Sequence, residues 1–133
     1  MCASFRRASR TLSLHYDEAL RPLGLTITHF SILQALSLAG EISQGRLAQI
    51  LAMDGTTLTR TLELMRQSGW VEKSHGDDRR ERRLSLTPAG KLQLKRALPL
   101  WEKVQTQLRQ QLGSGRWDKA LDLTNDLASR LTE

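Results

Sequence analysis

A single cysteine, Cys2, stands in the 133 residues. That excludes an internal disulfide and any zinc site built from several thiolates. The three histidines, His15, His29 and His75, are scattered, so no metal-binding histidine pair at helical spacing is present. A glycine-rich phosphate loop, a nucleophile elbow and a recognisable pair of spaced carboxylates are also missing. Neither an enzyme nor a bound cofactor is expected. Proline is scarce, with three residues, and no proline-rich or low-complexity stretch divides the chain. One domain of ordinary size follows. No apolar run approaches membrane-spanning length, and residues 1–20 carry arginines where a secretory signal needs an apolar stretch. These absences lead us to expect a cytoplasmic protein with no membrane partner.

What the chain does have is cationic charge. Twenty basic residues face fourteen acidic ones, for a net charge of +6, in a composition that is 39% hydrophobic. The excess is concentrated: eleven basic and six acidic residues fall between positions 44 and 96, and the two flanks are nearly balanced. A local excess of cations points to a polyanionic partner.

Apolar periodicity gives the elements. Phe5, Ala8, Leu12, Tyr16, Ala19 and Leu23 recur at three- and four-residue steps, the pattern of one helix face, and Pro22 and Gly24 should end that helix. Thr28 is expected to cap a second helix carrying Phe30, Leu33 and Leu36, stopped near Gly40. Ser43 can cap a short third helix with Leu47, Ile50 and Leu51 inward. Asp54 can cap a fourth, burying Leu58, Leu62 and Met65 and ending at Gly69. The period then changes. Trp70–Lys73 and Arg83–Leu86 read as two strands, with His75-Gly76-Asp77-Asp78-Arg79 as the turn of a hairpin. Thr87-Pro88 looks like an N-cap with proline at the first helical position. The long helix that follows should bury Leu92, Leu98, Trp101, Val104, Leu108 and Leu112 and kink at Pro99. Beyond Gly113 and Gly115, a last helix carries Trp117, Leu121, Thr124, Leu127 and Leu131.

Residues 43–87 thus read as two short helices followed by a basic hairpin, a winged helix-turn-helix. The expected fold is mainly α with a small β-hairpin wing. A helix fits the DNA major groove with its N-terminal residues at the base edges. On the fourth helix, Gly55 lets backbone approach, Thr56, Thr57 and Thr59 can meet phosphates or thymine methyls, and Arg60 is the one long donor. An arginine-tipped hairpin can enter a narrow minor groove. A sequence-indifferent architectural DNA-binding protein and a winged helix that grips another protein share these features and stay open at this level.

The sequence resembles the MarR family of bacterial transcription regulators. Asp78-Arg79-Arg80-Glu81-Arg82-Arg83-Leu84-Ser85-Leu86-Thr87-Pro88-Ala89-Gly90 looks like that family's wing signature, and Leu47–Leu51 with Asp54–Arg60 looks like its helix-turn-helix. The resemblance implies that Arg80 enters the minor groove and that Asp78 braces the wing through an ion pair. It also implies that Thr56, Thr57 and Arg60 meet the DNA. Arg79, Arg82 and Arg83 would be phosphate contacts or solvated flanks.

The resemblance further implies that residues 1–27 and 97–133 form a helical dimerisation region around a DNA-binding lobe at 28–96, in one compact domain. A two-fold homodimer would set two recognition helices about 34 Å apart on a pseudo-palindromic double-stranded DNA site. Repression is the family's usual mode, relieved by a small molecule or an oxidant. Two sensors are candidates. Cys2 could respond to peroxide, because Arg6 one turn on and a helix N-terminus are surroundings that make a thiol reactive. Alternatively His15, Tyr16, His29 and Trp101 could line a pocket for a phenolic or carboxylate effector.

Overall fold

The computed structural model describes residues 1–75 and 82–131. Helix α1 (Cys2–Leu20) runs through a 3-10 turn at Arg21–Leu23 into α2 (Ile27–Ala39). Strand β1 (Glu41–Ser43), α3 (Gln44–Leu51) and α4 (Gly55–Gln67) follow. Strands β2 (Val71–His75) and β3 (Arg82–Leu86) lead into α5 (Pro88–Leu112), and α6 (Ser114–Arg130) ends the described chain. No single helix among the described residues is long and apolar enough to cross a membrane.

The helix boundaries are set by short polar side chains that satisfy free backbone N–H groups. Ser43 accepts from the Arg46 N–H at 3.2 Å, Asp54 from Thr57 at 2.8 Å, and Thr87 from Gly90 at 3.0 Å. Pro88 occupies the first turn of α5, where its missing N–H costs nothing. One cap differs from expectation. Thr26, not Thr28, caps α2: its hydroxyl accepts from the His29 N–H, and His29 Nδ1 accepts from the Thr26 N–H in return. Asp17 of α1 accepts from the Ile27 N–H at 2.7 Å, so a third free donor is met from a neighbouring helix.

The sheet also differs. A hairpin is expected, but three strands form in the order β1-β3-β2, both pairs antiparallel. Ile42 pairs with Leu84 and Val71 with Leu86, and all four are buried. The second strand starts at Val71, one residue later than expected, because the Trp70 N–H and C=O are taken by Met65 and Thr87.

Leu20, Phe30, Leu33, Leu36, Leu47, Leu58, Leu62, Met65, Val71, Leu84 and Ala97 form one continuous core. Ile50, Leu92 and Leu112, expected inward, are exposed. The phase of α5 is set instead by Gly90, Gln93, Leu94 and Ala97. Buried Gln93 donates to the Leu23 carbonyl at 2.6 Å, tying α5 to the 3-10 turn. The helix runs unbroken through Pro99, which leaves the Lys95 carbonyl without its helical donor on an exposed face. Tyr16, Val104 and Leu108 form a second, smaller cluster between α1 and α5, with Trp101 and Trp117 against it. Helix α6 buries none of its residues in the single chain.

Candidate nucleic-acid interface

The first turns of α4 stand open to solvent. Gly55, Thr56, Thr57, Thr59 and Arg60 are all exposed, while Leu58, Leu62 and Met65 on the opposite side hold the helix in the core. The same helix therefore presents a polar face at its N-terminus, where the backbone N–H groups carry partial positive charge. A Cβ at Gly55 would meet nothing within 4 Å, so that backbone can be approached closely. Together with Ser43, Gln44 and Gly45 at the start of α3, Gly55, Thr56, Thr59 and Arg60 line an open groove of about 1190 Å³. Arg82, the first residue of β3, lines it too. Two arginines from different elements, Arg60 and Arg82, thus face one concave surface.

The three threonines are not equivalent. Thr57 donates its hydroxyl proton to Asp54 at 2.7 Å and its N–H to the same carboxylate, so it belongs to the cap. Thr59 accepts from Gln44 at 2.8 Å. The Thr56 hydroxyl has no hydrogen-bond partner among the described residues. The Thr57 bonds hold the Asp54 carboxyl below its ordinary value of 3.8. A carboxylate whose folded value is depressed contributes stability above the unfolded value, and loses it as pH falls through the folded one. Asp54→Ala should lower the melting temperature at neutral pH by a few degrees. The gap to wild type should close as pH falls below 3.8. Asp54→Asn should keep the cap but lose that pH dependence, as thermal melts across pH 2–7 would read.

Arg83 is placed differently from Arg82. Its Cα pairs with Ser43 on one side and Ser74 on the other, in mid-sheet, and it is half-buried. Residues Asp78, Arg79 and Arg80 lie outside the described residues, as does most of the turn expected at 75–79.

The expected effector residues do not converge on one cavity. Tyr16 is buried and donates its hydroxyl to Gln105, and burial pushes its pKa up. Trp101 stacks on Phe30 with ring centroids 5.3 Å apart. His29 meets Trp70 edge-on at 6.3 Å, and burial lowers its pKa from 6.5 against the opposing Asp17 carboxylate. A neutral imidazole is what its cap requires, since Nδ1 must accept. His15 alone lines a cavity of about 210 Å³ between α1 and α5, with Glu18, Val104, Gln107 and Gln111. Cys2 is exposed at the first turn of α1. Among the described residues no cluster of three His, Cys, Asp or Glu side chains could hold a metal ion.

The sequence-level reading missed Gln44 and β1. A lone glutamine at a helix start carries no local signal, and a three-residue strand shows no alternation to detect.

Residues 23–81 match the sequence profile of the MarR family. The chain is 31% identical over 81 residues to the uncharacterised HTH-type transcriptional regulator YwoH of Bacillus subtilis, covering 61% of this chain and 59% of that one. It is 36% identical over 75 residues to the multiple antibiotic resistance protein MarR of Salmonella typhimurium, covering 56% and 52%. The matches thus span little more than half the length of these two relatives. The M. tuberculosis transcriptional regulator MosR, in a crystal structure of its complex with DNA, matches end to end: 41% identity, 98% of each chain and a TM-score of 0.81. With its winged fold and open, polar α4 face, the chain belongs to the MarR family of DNA-binding transcription regulators.

Proposed function

We propose that the chain is a sequence-specific repressor that binds a pseudo-palindromic operator as a homodimer and lets go in response to a small molecule or an oxidant. The observation that carries the DNA reading is the shared groove in which the exposed first turns of α4 lie beside Arg82 of the wing strand. A helix N-terminus suits the base edges of a major groove, and a flanking basic strand suits the neighbouring phosphates and minor groove. The relative MosR, matched over 98% of its chain, is seen in complex with DNA. In this reading Gly55, Thr56, Thr57, Thr59 and Arg60 meet the major groove. Arg80 enters the minor groove, braced by Asp78, and Arg79, Arg82 and Arg83 flank it.

The dimer reading is supported by what a single chain leaves uncovered. Leu121 and Leu123 of α6 are 47% and 56% exposed, and Phe5, Leu12 and Leu14 of α1 are also open. Apolar faces of this extent on terminal helices call for a partner, and a second copy supplies one with two-fold symmetry. Release would bias the dimer towards a spacing of the two heads that no longer fits adjacent grooves. Cys2 on one hand, and His15, Tyr16, His29 and Trp101 on the other, are the side chains through which a peroxide or a phenolic or carboxylate ligand would act.

Selection from a random-sequence duplex pool at about 150 mM salt tests the reading. The protein should enrich an inverted repeat with half-sites about one helical turn apart. A pool that stays random would mean a sequence-indifferent DNA binder or a protein-binding winged helix, and would overturn the proposal.

A further inference from the structure

We propose that Gln44 is a positioning residue for DNA recognition: it holds the Thr59 hydroxyl turned away from its own helix, so that Thr59 can donate its proton to the DNA. Beyond the first turns of their helices, the other threonines do the opposite. Thr11, Thr61, Thr106 and Thr124 each donate to the carbonyl four residues back, at 2.8 to 3.0 Å. That back-bond is the usual resting place of a threonine hydroxyl within a helix. Thr59 makes no such bond among the described residues. Its hydroxyl accepts from Gln44 Nε2, fifteen positions earlier at the first turn of α3. With one lone pair engaged there, its proton is left to point into the groove, towards an acceptor on a base edge.

A second observation singles out the same side chain. Gln44 Oε1 is shielded from solvent and has no hydrogen-bond partner, the one such buried side-chain atom among the described residues. An orphaned buried acceptor is unfavourable and is seldom kept without a use. The amide is thus held against Thr59 at the cost of its own second bond. Its place in the fold explains what it gains: it spans from the capped start of α3 to the exposed face of α4, inside the groove that Arg60 and Arg82 line. The role is distinct from that of Asp54 and Thr57, which cap α4 without reaching another element.

This inference rests on α4 being the helix that enters the major groove, and the test separates the two ideas. Affinities would be measured by fluorescence anisotropy for Gln44→Met, Thr59→Val and the double variant. The probes are the duplex that the wild-type protein enriches from a random pool and a scrambled duplex. Methionine keeps the length and helix preference of glutamine without its hydrogen bonds, so the melting temperature should be unchanged. We expect each single variant to weaken binding to the enriched duplex about tenfold, with no further loss in the double variant. Binding to scrambled DNA and the salt slope should not change, because no phosphate contact is removed. Additive losses would show that Gln44 meets the DNA itself and would overturn the proposal. So would an unchanged Gln44→Met, or an equal loss on both duplexes. Full affinity in Arg60→Ala would instead refute the placement of α4.

Discussion

Gly90→Val should be the most damaging single substitution on the molecule's interior surface, lowering stability by about 3 kcal/mol and the melting temperature by roughly 10 °C. A Cβ at Gly90 would overlap the Trp70 carbonyl oxygen and lie 3.0 Å from its carbon and 3.2 Å from its Cα. These are backbone atoms, and they cannot step aside. The Trp70 carbonyl accepts from the Thr87 N–H at 3.1 Å, and the Thr87 hydroxyl donates to the Gly69 carbonyl. Gly69 turns the chain at φ +79°, a conformation that L side chains rarely adopt. The start of α5 is therefore pressed against the Gly69–Trp70 link that follows α4, backbone to backbone at Gly90 and Trp70. Forcing them apart would tilt the wing strands against α4, so DNA binding should fall with stability. Gly45→Ala is the control. Nothing lies within 4 Å of its added Cβ, it sits within α3, and alanine there should raise stability by about 0.5–1 kcal/mol. Calorimetric melts of the two variants give the comparison. A Gly90→Val protein that melts like wild type would mean the contact of Gly90 with Trp70 is loose in solution.

Arg60→Ala should carry the largest loss of DNA affinity among single substitutions on α4, about 1–3 kcal/mol, or roughly ten- to a hundredfold. Arg60 is the one cation on the exposed first turns of that helix, and it makes no ion pair among the described residues. Arg66, six residues further on, is held by Glu63 at 2.6 Å and so is not its equal. The manner of the loss identifies the contact. If Arg60 reads a guanine, Arg60→Lys should also lose specificity at one base position, because an ammonium cannot make the paired bond of a guanidinium. If it grips a phosphate, Arg60→Lys should bind nearly as wild type, and Arg60→Ala should lower the salt slope by about 1. Anisotropy titrations over a range of salt separate these cases. Wild-type affinity in Arg60→Ala would remove α4 from the interface.

Much of this arrangement is written locally. Ser43, Asp54 and Thr87 each cap the helix that follows them, and each is readable because a short oxygen-bearing side chain precedes an apolar period. The α4 face follows from Leu58, Leu62 and Met65 alone, since burying one stripe exposes the other. What escaped reading depends on partners distant in sequence. Thr26 wins over Thr28 because Asp17, nine residues before Thr26, completes the same helix end. Leu94 and Ala97 replace Leu92 inward because Gly90 must face Trp70, which fixes the rotation of α5. Gln44 gains its meaning only when α3 and α4 are side by side. Exposed leucines on α6 look like core residues in sequence, and the single chain offers them nothing to pack on.

Strand β1 imposes a limit on how the chain can vary. Its three residues and Gly40 are the whole link between α2 and α3, and Ser43 both ends the strand and caps α3. One residue inserted between Ile42 and Ser43, with Ser43 still capping α3, would shift Ile42 by one place and turn it from the interior to the outside. The link is thus fixed in length and in phase. Tags, fused domains and inserted peptides belong elsewhere in the chain, and a spacer placed between Gly40 and Ser43 would separate the wing from the helix it accompanies.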